Sequence, residues 1–250
     1  MGWVIAMAGK GGTGKTTIAA LLIRIIKEKK LGSILGVDAD PNSNLAETLG
    51  LKEKESIGAI LDDISRHPDI VPVNMGKDAY IEYRVQGAIV EGEGFDILTM
   101  GRPEGAGCYC YVNNSLRNVM EKLINDYDFV IIDNEAGLEH LSRRTTRRAD
   151  SLLVVSDASG VGLRAAKRIA ELARELKIKT KNEFILINRG EENIGLDRIK
   201  DLKLDYLGFL PKDQEIETLS LLESSLMNLN DGNITMNALE KLGEKIWLGN

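Results

Sequence analysis

Gly9-Lys10-Gly11-Gly12-Thr13-Gly14-Lys15-Thr16 fits the spacing G-x-x-x-x-G-K-[ST], and Thr17 follows it. This spacing suits the binding of a phosphate chain. Glycines let the backbone curl tightly and aim N–H groups at phosphate oxygens. A helix N-terminus behind the loop adds a favourable dipole. Gly9, Gly11, Gly12, Thr13, Gly14, Lys15, Thr16 and Thr17 are therefore the candidate nucleotide contacts. In this pattern Lys15 reaches the β- and γ-phosphates, and the Thr16 hydroxyl binds Mg²⁺. The plainer reading is a glycine-rich strand–helix turn with no ligand. The complete match, with a strand before it and a helix after it, argues against that.

Further acids stand at the ends of apolar runs. Val37-Asp38-Ala39-Asp40-Pro41 closes one run, and Val130-Ile131-Ile132-Asp133 closes another. Carboxylates at the C-terminal edge of a parallel sheet can face bound phosphates. Asp133 is the candidate second ligand of Mg²⁺ beside Thr16. Asp38 and Asn44 are weaker candidates for the same shell, and one of Asp38 and Asp40 could instead cap the following helix.

The chain has two cysteines, Cys108 and Cys110, with Tyr109 between them. Residues this close rarely reach disulfide geometry. They follow a glycine-rich stretch and precede a helical pattern, where thiolate is favoured. One pair supplies two soft ligands, whereas a closed structural zinc site takes four. The only histidines, His67 and His140, lie outside this segment. Two-fold dimerisation would bring two pairs together. Thiolates bind nickel and zinc alike, so the residues do not choose between them. The plainer reading is a pair of small buried side chains.

The elements that position these groups alternate. Strand patterns fall at Trp3–Ala8, Ile34–Asp38, Phe95–Met100, Phe129–Asp133, Leu152–Ser156, Phe184–Asn188 and Tyr206–Leu210. Helix patterns fall at Thr16–Lys30, Asn114–Asn125, Leu163–Lys177, Asp213–Leu226 and Met236–Leu248. The alternation predicts an α/β fold, a doubly wound, mostly parallel sheet flanked by helices. Residues 51–94 break the rhythm, with a short helix near Ile57–Ile64 and less regular structure around Tyr80–Val90. They are read as an insertion in a single domain spanning residues 1–250.

Net charge is −6, which disfavours a broad nucleic-acid surface. The first apolar run is too short for a signal peptide's core and no run is long enough to span a membrane, so the expected location is the cytoplasm. Arg143, Arg144, Arg147 and Arg148 read as a solvated face or a dimer contact. Leu239, Leu242, Ile246 and Trp247 share a helix face that is expected to pack on the domain and not to form a stable membrane anchor.

Lys10, directly after the first glycine, makes the loop resemble the deviant Walker A class of P-loop NTPases, which includes MinD, ParA and the nitrogenase iron protein. The resemblance implies an ATPase converting ATP and water to ADP and phosphate. It implies a homodimer in which Lys10 crosses to the partner's nucleotide, by the logic of an arginine finger. It also implies that Asp40 orients or activates the attacking water in a first switch, and that Asn134-Glu135-Ala136-Gly137 forms the second switch. Asn188, Arg189 and Pro211 would then face adenine. With Cys108-Tyr109-Cys110 and Ala136-Gly137-Leu138-Glu139-His140-Leu141, the chain further resembles CooC-type nickel-insertion ATPases. That resemblance implies a metallochaperone binding nickel, or zinc, through paired C-x-C motifs. Its client would be a nickel enzyme such as carbon monoxide dehydrogenase or acetyl-CoA synthase. The alternative is a MinD/ParA-like positioning ATPase acting on membrane or DNA, which gives the cysteines no task.

Overall fold

Runs apolar at nearly every position form strands covered on both faces. The computed structural model describes residues 2–40, 44–101, 110–135, 138, 148–191 and 197–248. The strands are β1 (Trp3–Ala8), β2 (Ile34–Ala39), β3 (Val90–Glu91), β4 (Asp96–Thr99), β5 (Phe129–Asn134), β6 (Arg148–Ser156), β7 (Lys179–Ile187) and β8 (Asp205–Phe209). They form one sheet in the order β3-β4-β2-β5-β1-β6-β7-β8. Every pairing is parallel except β3 with β4.

Among the described residues the helices are α1 (Lys15–Glu28), α2 (Leu45–Thr48), α3 (Ile57–Arg66), α4 (Lys77–Ala88), α5 (Cys110–Asn125), α6 (Gly160–Glu175), α7 (Asp197–Lys200), α8 (Gln214–Leu221) and α9 (Ile234–Leu248). Alternate side chains of β1 feed two cores, as the pleat dictates. Val4, Ala6 and Ala8 pack with α3, α4, α5 and α6 on one face. Ile5 and Met7 pack with α1, α2 and α9 on the other. This is the doubly wound α/β architecture.

Helix α1 carries the phosphate loop on its N-terminus. From Ile18 to Ile26 its apolar residues are at most 2 % exposed. Each of its buried Leu and Ile side chains contributes roughly 1.5–3 kcal/mol. The loop is thus anchored on one of the most deeply buried elements of the fold.

The broken rhythm of residues 51–94 resolves into α3, α4 and the short edge strand β3. Ser56 caps α3, accepting from the Ala59 N–H at 3.3 Å. Ile57, Ile60, Ile64, Ile81 and Val85 enter the same apolar layer as Leu116 and Met120 of α5. Arg84 ties the pair together through Glu55 at 2.8 Å and Asp63 at 3.1 Å.

Helix α8 stops at Leu221, short of the expected Leu226, because Glu223 turns the chain with φ 50°. Buried Arg24 then donates to the carbonyls of Leu226 and Leu229, each at 2.9 Å. On α9, Leu239 and Ile246 are 0 % exposed and Trp247 is 9 % exposed. Trp3 Nε1 and Ser151 Oγ both donate to the Ile246 carbonyl, at 2.9 and 2.5 Å. The apolar face of this helix is thus covered by the sheet. Among the described residues, no helix is long and apolar enough to cross a membrane.

Candidate nucleotide site

The loop from Gly9 to Gly14 joins β1 to α1 at the C-terminal edge of the sheet. Two of its glycines have steric reasons. A Cβ on Gly9 would stand 2.3 Å from the Val155 carbonyl oxygen of β6. Gly14, which precedes α1, has φ 88°, and a Cβ there would lie 2.4 Å from Asn188 Nδ2. That same Nδ2 donates to the Thr13 carbonyl at 2.8 Å. The loop is braced within itself as well: Thr13 Oγ1 donates to the Lys10 carbonyl at 2.8 Å.

Asn188, at the end of β7, thus holds the loop directly. Its Oδ1 accepts from the Arg189 N–H at 3.0 Å. Arg189 has φ 54°, the left-handed region that side chains rarely occupy. Beside this strand end lies a cavity of about 300 Å³ lined by Thr17, Leu21, Asn188, Arg189, Pro211 and Asp213. Its walls are mixed apolar and polar, which suits a heterocyclic base.

On the other side of α1, Thr16 Oγ1 donates to Asp133 Oδ2 at 2.5 Å. Asp133 is 1 % exposed, and its Oδ1 has no partner among the described residues. Burial pushes this carboxyl up to about 6; the Thr16 bond and the nearby Lys15 charge pull it down, and Asp40 adds to the rise. Lys15 is itself buried at 7 % exposure. A buried carboxylate oxygen without a partner, next to a hydroxyl and opening on a phosphate loop, fits an oxygen-seeking cation such as Mg²⁺.

Asp38 and Asp40 divide the roles that the sequence left open. Asp38 is 0 % exposed, and its carboxylate accepts from the Leu45 N–H at 2.8 Å and the Asp40 N–H at 3.1 Å. It therefore ties the start of α2 to the end of β2. Burial raises Asp38 to about 7, against those backbone bonds, and the charges of Asp133 and Asp40 add to the rise. Asp40 is half-buried at the rim, one residue beyond β2, and Asn44 lines a cleft together with Thr16. Lys10 is exposed on the loop's crest. Pro41, Ala136 and Gly137 lie outside the described residues, as do Arg143, Arg144 and Arg147.

Sequence reasoning placed Asn134 only within the second switch, and it missed Thr99 and Asp157 at this edge. Asn134 donates to the Met7 carbonyl at 2.8 Å and leaves its own Oδ1 unpartnered. Thr99, paired with Asp38 across β4 and β2, leaves its buried hydroxyl unpartnered. Asp157, just past β6, feels the charges of both Lys10 and Arg189. The signal for Asp157 was present: an acid at the end of an apolar run, the same pattern that marks Asp38 and Asp133.

The sequence profile of the CobQ/CobB/MinD/ParA nucleotide binding domain matches residues 4–226. An ATP-binding protein of Methanocaldococcus jannaschii is 44 % identical over 248 residues, covering 97 % of this chain and 98 % of the relative. The carbon monoxide dehydrogenase accessory protein CooC of Rhodospirillum rubrum is 30 % identical over 225 residues, covering 85 % of each chain. The septum site-determining protein MinD of Pyrococcus horikoshii, solved with Mg-ADP, overlays with a TM-score of 0.72 at 21 % identity, covering 98 % of this chain and 96 % of that one.

These findings correct the metal reading. The expected nickel or zinc centre at Cys108 and Cys110 has no counterpart among the described residues, which hold no group of three or more His, Cys, Asp or Glu placed to bind a metal. Cys108 lies outside the described residues, and Cys110 opens α5. Similarity to the CooC protein at 30 % identity shows a shared family and not a shared cargo. The CooC-type nickel-insertion assignment is withdrawn in favour of the wider family, and with it the metallochaperone role, the Ni²⁺ or Zn²⁺ cofactor and the carbon monoxide dehydrogenase or acetyl-CoA synthase client. The chain is an ATPase belonging to the CobQ/CobB/MinD/ParA nucleotide-binding family.

Proposed function

We propose that this protein is an ATP-driven dimerisation switch of the MinD and ParA positioning kind, working in the cytoplasm where ATP is supplied. The observation that carries the reading is the pairing of Thr16 with a buried, half-partnered Asp133 beside buried Lys15, while Lys10 stands exposed on the same loop.

The loop N–H groups from Gly9 to Thr17 would cradle the phosphates, with Lys15 against the β- and γ-phosphates. Asn188, Arg189 and Pro211 would take adenine in the cavity they line. Thr16 and the free oxygen of Asp133 would hold Mg²⁺, which when bound neutralises phosphate charge. Asp40, on the rim, would orient the attacking water. Lys10 has no internal task in this arrangement. It is placed to reach a second subunit, where it would stabilise charge on the transferring phosphoryl group. ATP closes the dimer and hydrolysis opens it. The two states present different surfaces, which lets a positioning ATPase bind and leave its track.

The test is sedimentation with Mg²⁺ and a non-hydrolysable ATP analogue or ADP, alongside nucleotide binding and phosphate release. Wild type should dimerise with the analogue and stay monomeric with ADP. Lys15→Ala should lose nucleotide binding. Lys10→Ala should keep nucleotide binding and lose turnover by about 10³-fold. Wild-type protein saturated with the analogue and still monomeric would sink the proposal.

A further inference from the structure

Helix α6 carries its surface charge the wrong way round for a solitary helix. Its first half exposes Arg164, Lys167 and Arg168, and its second half exposes Glu171 and Glu175. Cations suit the C-terminal end of a helix and anions the N-terminal end. Arg164 and Arg168, one turn apart, also repel each other. Lys167 stands four residues before Glu171, the poorer order for an ion pair within a helix. Among the described residues, the one ion pair that α6 makes is Arg174 with Glu183 of β7, at 3.0 Å. Arg174 also donates to the Lys203 carbonyl at 2.8 Å. It is thus drawn off the helix and leaves both glutamates unpaired.

Arg164, Arg168, Glu171 and Glu175 follow one another at steps of four, three and four residues. That is the spacing of a seam along which two helices pair. The seam complements itself when one copy is turned end for end. Residues 164 and 175 are equally distant from the point between 169 and 170, and so are residues 168 and 171. A second α6, laid antiparallel across a two-fold axis through that point, sets Arg164 against the other copy's Glu175 and Arg168 against its Glu171. Symmetry repeats both pairs. The stem of Lys167 then falls against the other copy's Leu172, which is half-buried in its own chain. The two helix dipoles oppose, and each basic half lies beside the other helix's negative end. Charges that are misplaced in one helix are well placed in two. A continuous polyanion would instead meet Glu171 and Glu175 on the same seam.

We propose that the exposed face of α6 is a self-association surface, on which a second copy of this chain docks antiparallel about a two-fold axis between residues 169 and 170. Exposed ion pairs contribute little each, so single subunits stay apart in dilute solution. A dimer closed on ATP carries two such faces. A chain with two different two-fold contacts assembles beyond the dimer. That growth rests on the nucleotide-driven dimer proposed above, whereas the pairing of α6 faces does not.

Static light scattering of the concentrated ADP-bound protein reads attraction between subunits directly. Wild type should attract itself at low salt and lose the attraction as salt is raised. Arg168→Glu and Glu171→Arg should each weaken it by about tenfold, because each disrupts two symmetry-related pairs. They move net charge in opposite directions, so a general charge effect would separate them. The double variant should return to within about twofold of wild type. Arg164→Glu and Glu175→Arg, singly and together, repeat the test at the outer pair, and melting temperatures show that each variant is folded. Single variants without effect, or double variants no better than the singles, overturn the proposal. So does attraction only to an added polyanion, duplex DNA or vesicles of anionic lipid, with none between subunits. With the ATP analogue at low salt, wild type should sediment as species larger than a dimer and Arg168→Glu as a dimer. Wild type that stays a dimer there overturns the proposal, whereas a monomer there is a failure of the nucleotide-driven dimer alone, since light scattering reads α6 without it.

Discussion

At the N-terminal edge of the sheet, Asp150 of β6 is 1 % exposed, and both its oxygens are engaged. Oδ2 accepts from the Val4 N–H at 2.9 Å and from Arg148 at 2.8 Å; Oδ1 accepts from Arg148 at 2.8 Å and pairs with Lys181 at 3.0 Å. At the C-terminal edge, Asp133 of β5 is equally buried, yet one oxygen has no partner. The carboxyl of Asp150 is lowered and that of Asp133 is raised. The side chain and the burial are the same, and only the partners differ. One edge completes its electrostatics from within the chain. The other leaves acceptors open at Asp133, Asn134 and Thr99, all at the ends of β5 and β4. Buried acceptors left open in a folded protein call for an explanation, and a bound cation and phosphate chain would supply one here.

The largest expected effect tests the open edge. Asp133→Asn keeps the shape and the acceptor for Thr16, and removes the buried charge. Turnover should fall by about a hundredfold or more, as for loss of one group that stabilises charge at a phosphoryl-transfer site. The nucleotide-free, metal-free protein should be no less stable, because the substitution removes a charge that burial disfavours. Phosphate release and urea unfolding read the two sides. A variant that unfolds much more readily than wild type would show that Asp133 belongs to the scaffold.

The mirror experiment is Asp150→Asn. Here a buried charge with three partners is lost. Its cationic partners are partly exposed, Arg148 at 30 % and Lys181 at 59 %, so they can turn to water. That softens the loss to about 2 kcal/mol, roughly 5 °C in melting temperature. Turnover per folded molecule should change less than about twofold, because Asp150 lies at the opposite edge from the phosphate loop. A selective loss of turnover with an unchanged melting temperature would break the comparison.

How much of this was legible beforehand follows the same division. The phosphate loop could be read because its chemistry is local: Gly9 to Thr17 are consecutive. Seven of the eight strands were visible because burial on both faces leaves an unbroken apolar string, and alternation with helices gave the fold class; the two-residue edge strand β3 was not. Helix α3 was read close to its place, whereas α4 was blurred, because it buries only Ile81, Val85 and Ala88 over its length. The end of α8 was overestimated because Glu223 turns the chain, and the Leu226 and Leu229 carbonyls beyond it are claimed by Arg24, just over two hundred positions earlier. The surroundings of Thr99 and Asn134 depend on which strands lie side by side. The register that sets Ala8 beside Val154 brings the loop to the end of β6, and no local pattern encodes it. The cysteine pair misled for the opposite reason. Its spacing was conspicuous in one dimension, whereas a metal site is a three-dimensional set of ligands.

The smallest effect concerns pH. Burial alone would raise Asp150, but the Val4 N–H, Arg148 and Lys181 outweigh it and hold the carboxyl below its ordinary value. A carboxyl whose folded value is depressed contributes its stability fully above the unfolded value, about 3.9. That contribution is lost as pH falls through the folded value, which lies lower. The stability gap between wild type and Asp150→Asn should therefore be flat from about pH 8 to pH 5, and then close as the solution becomes more acidic. Urea midpoints across that range measure it directly. A gap that opens on acidification would mean that Asp150 is held protonated in the folded state. The N-terminal edge would then be no better partnered than the C-terminal one.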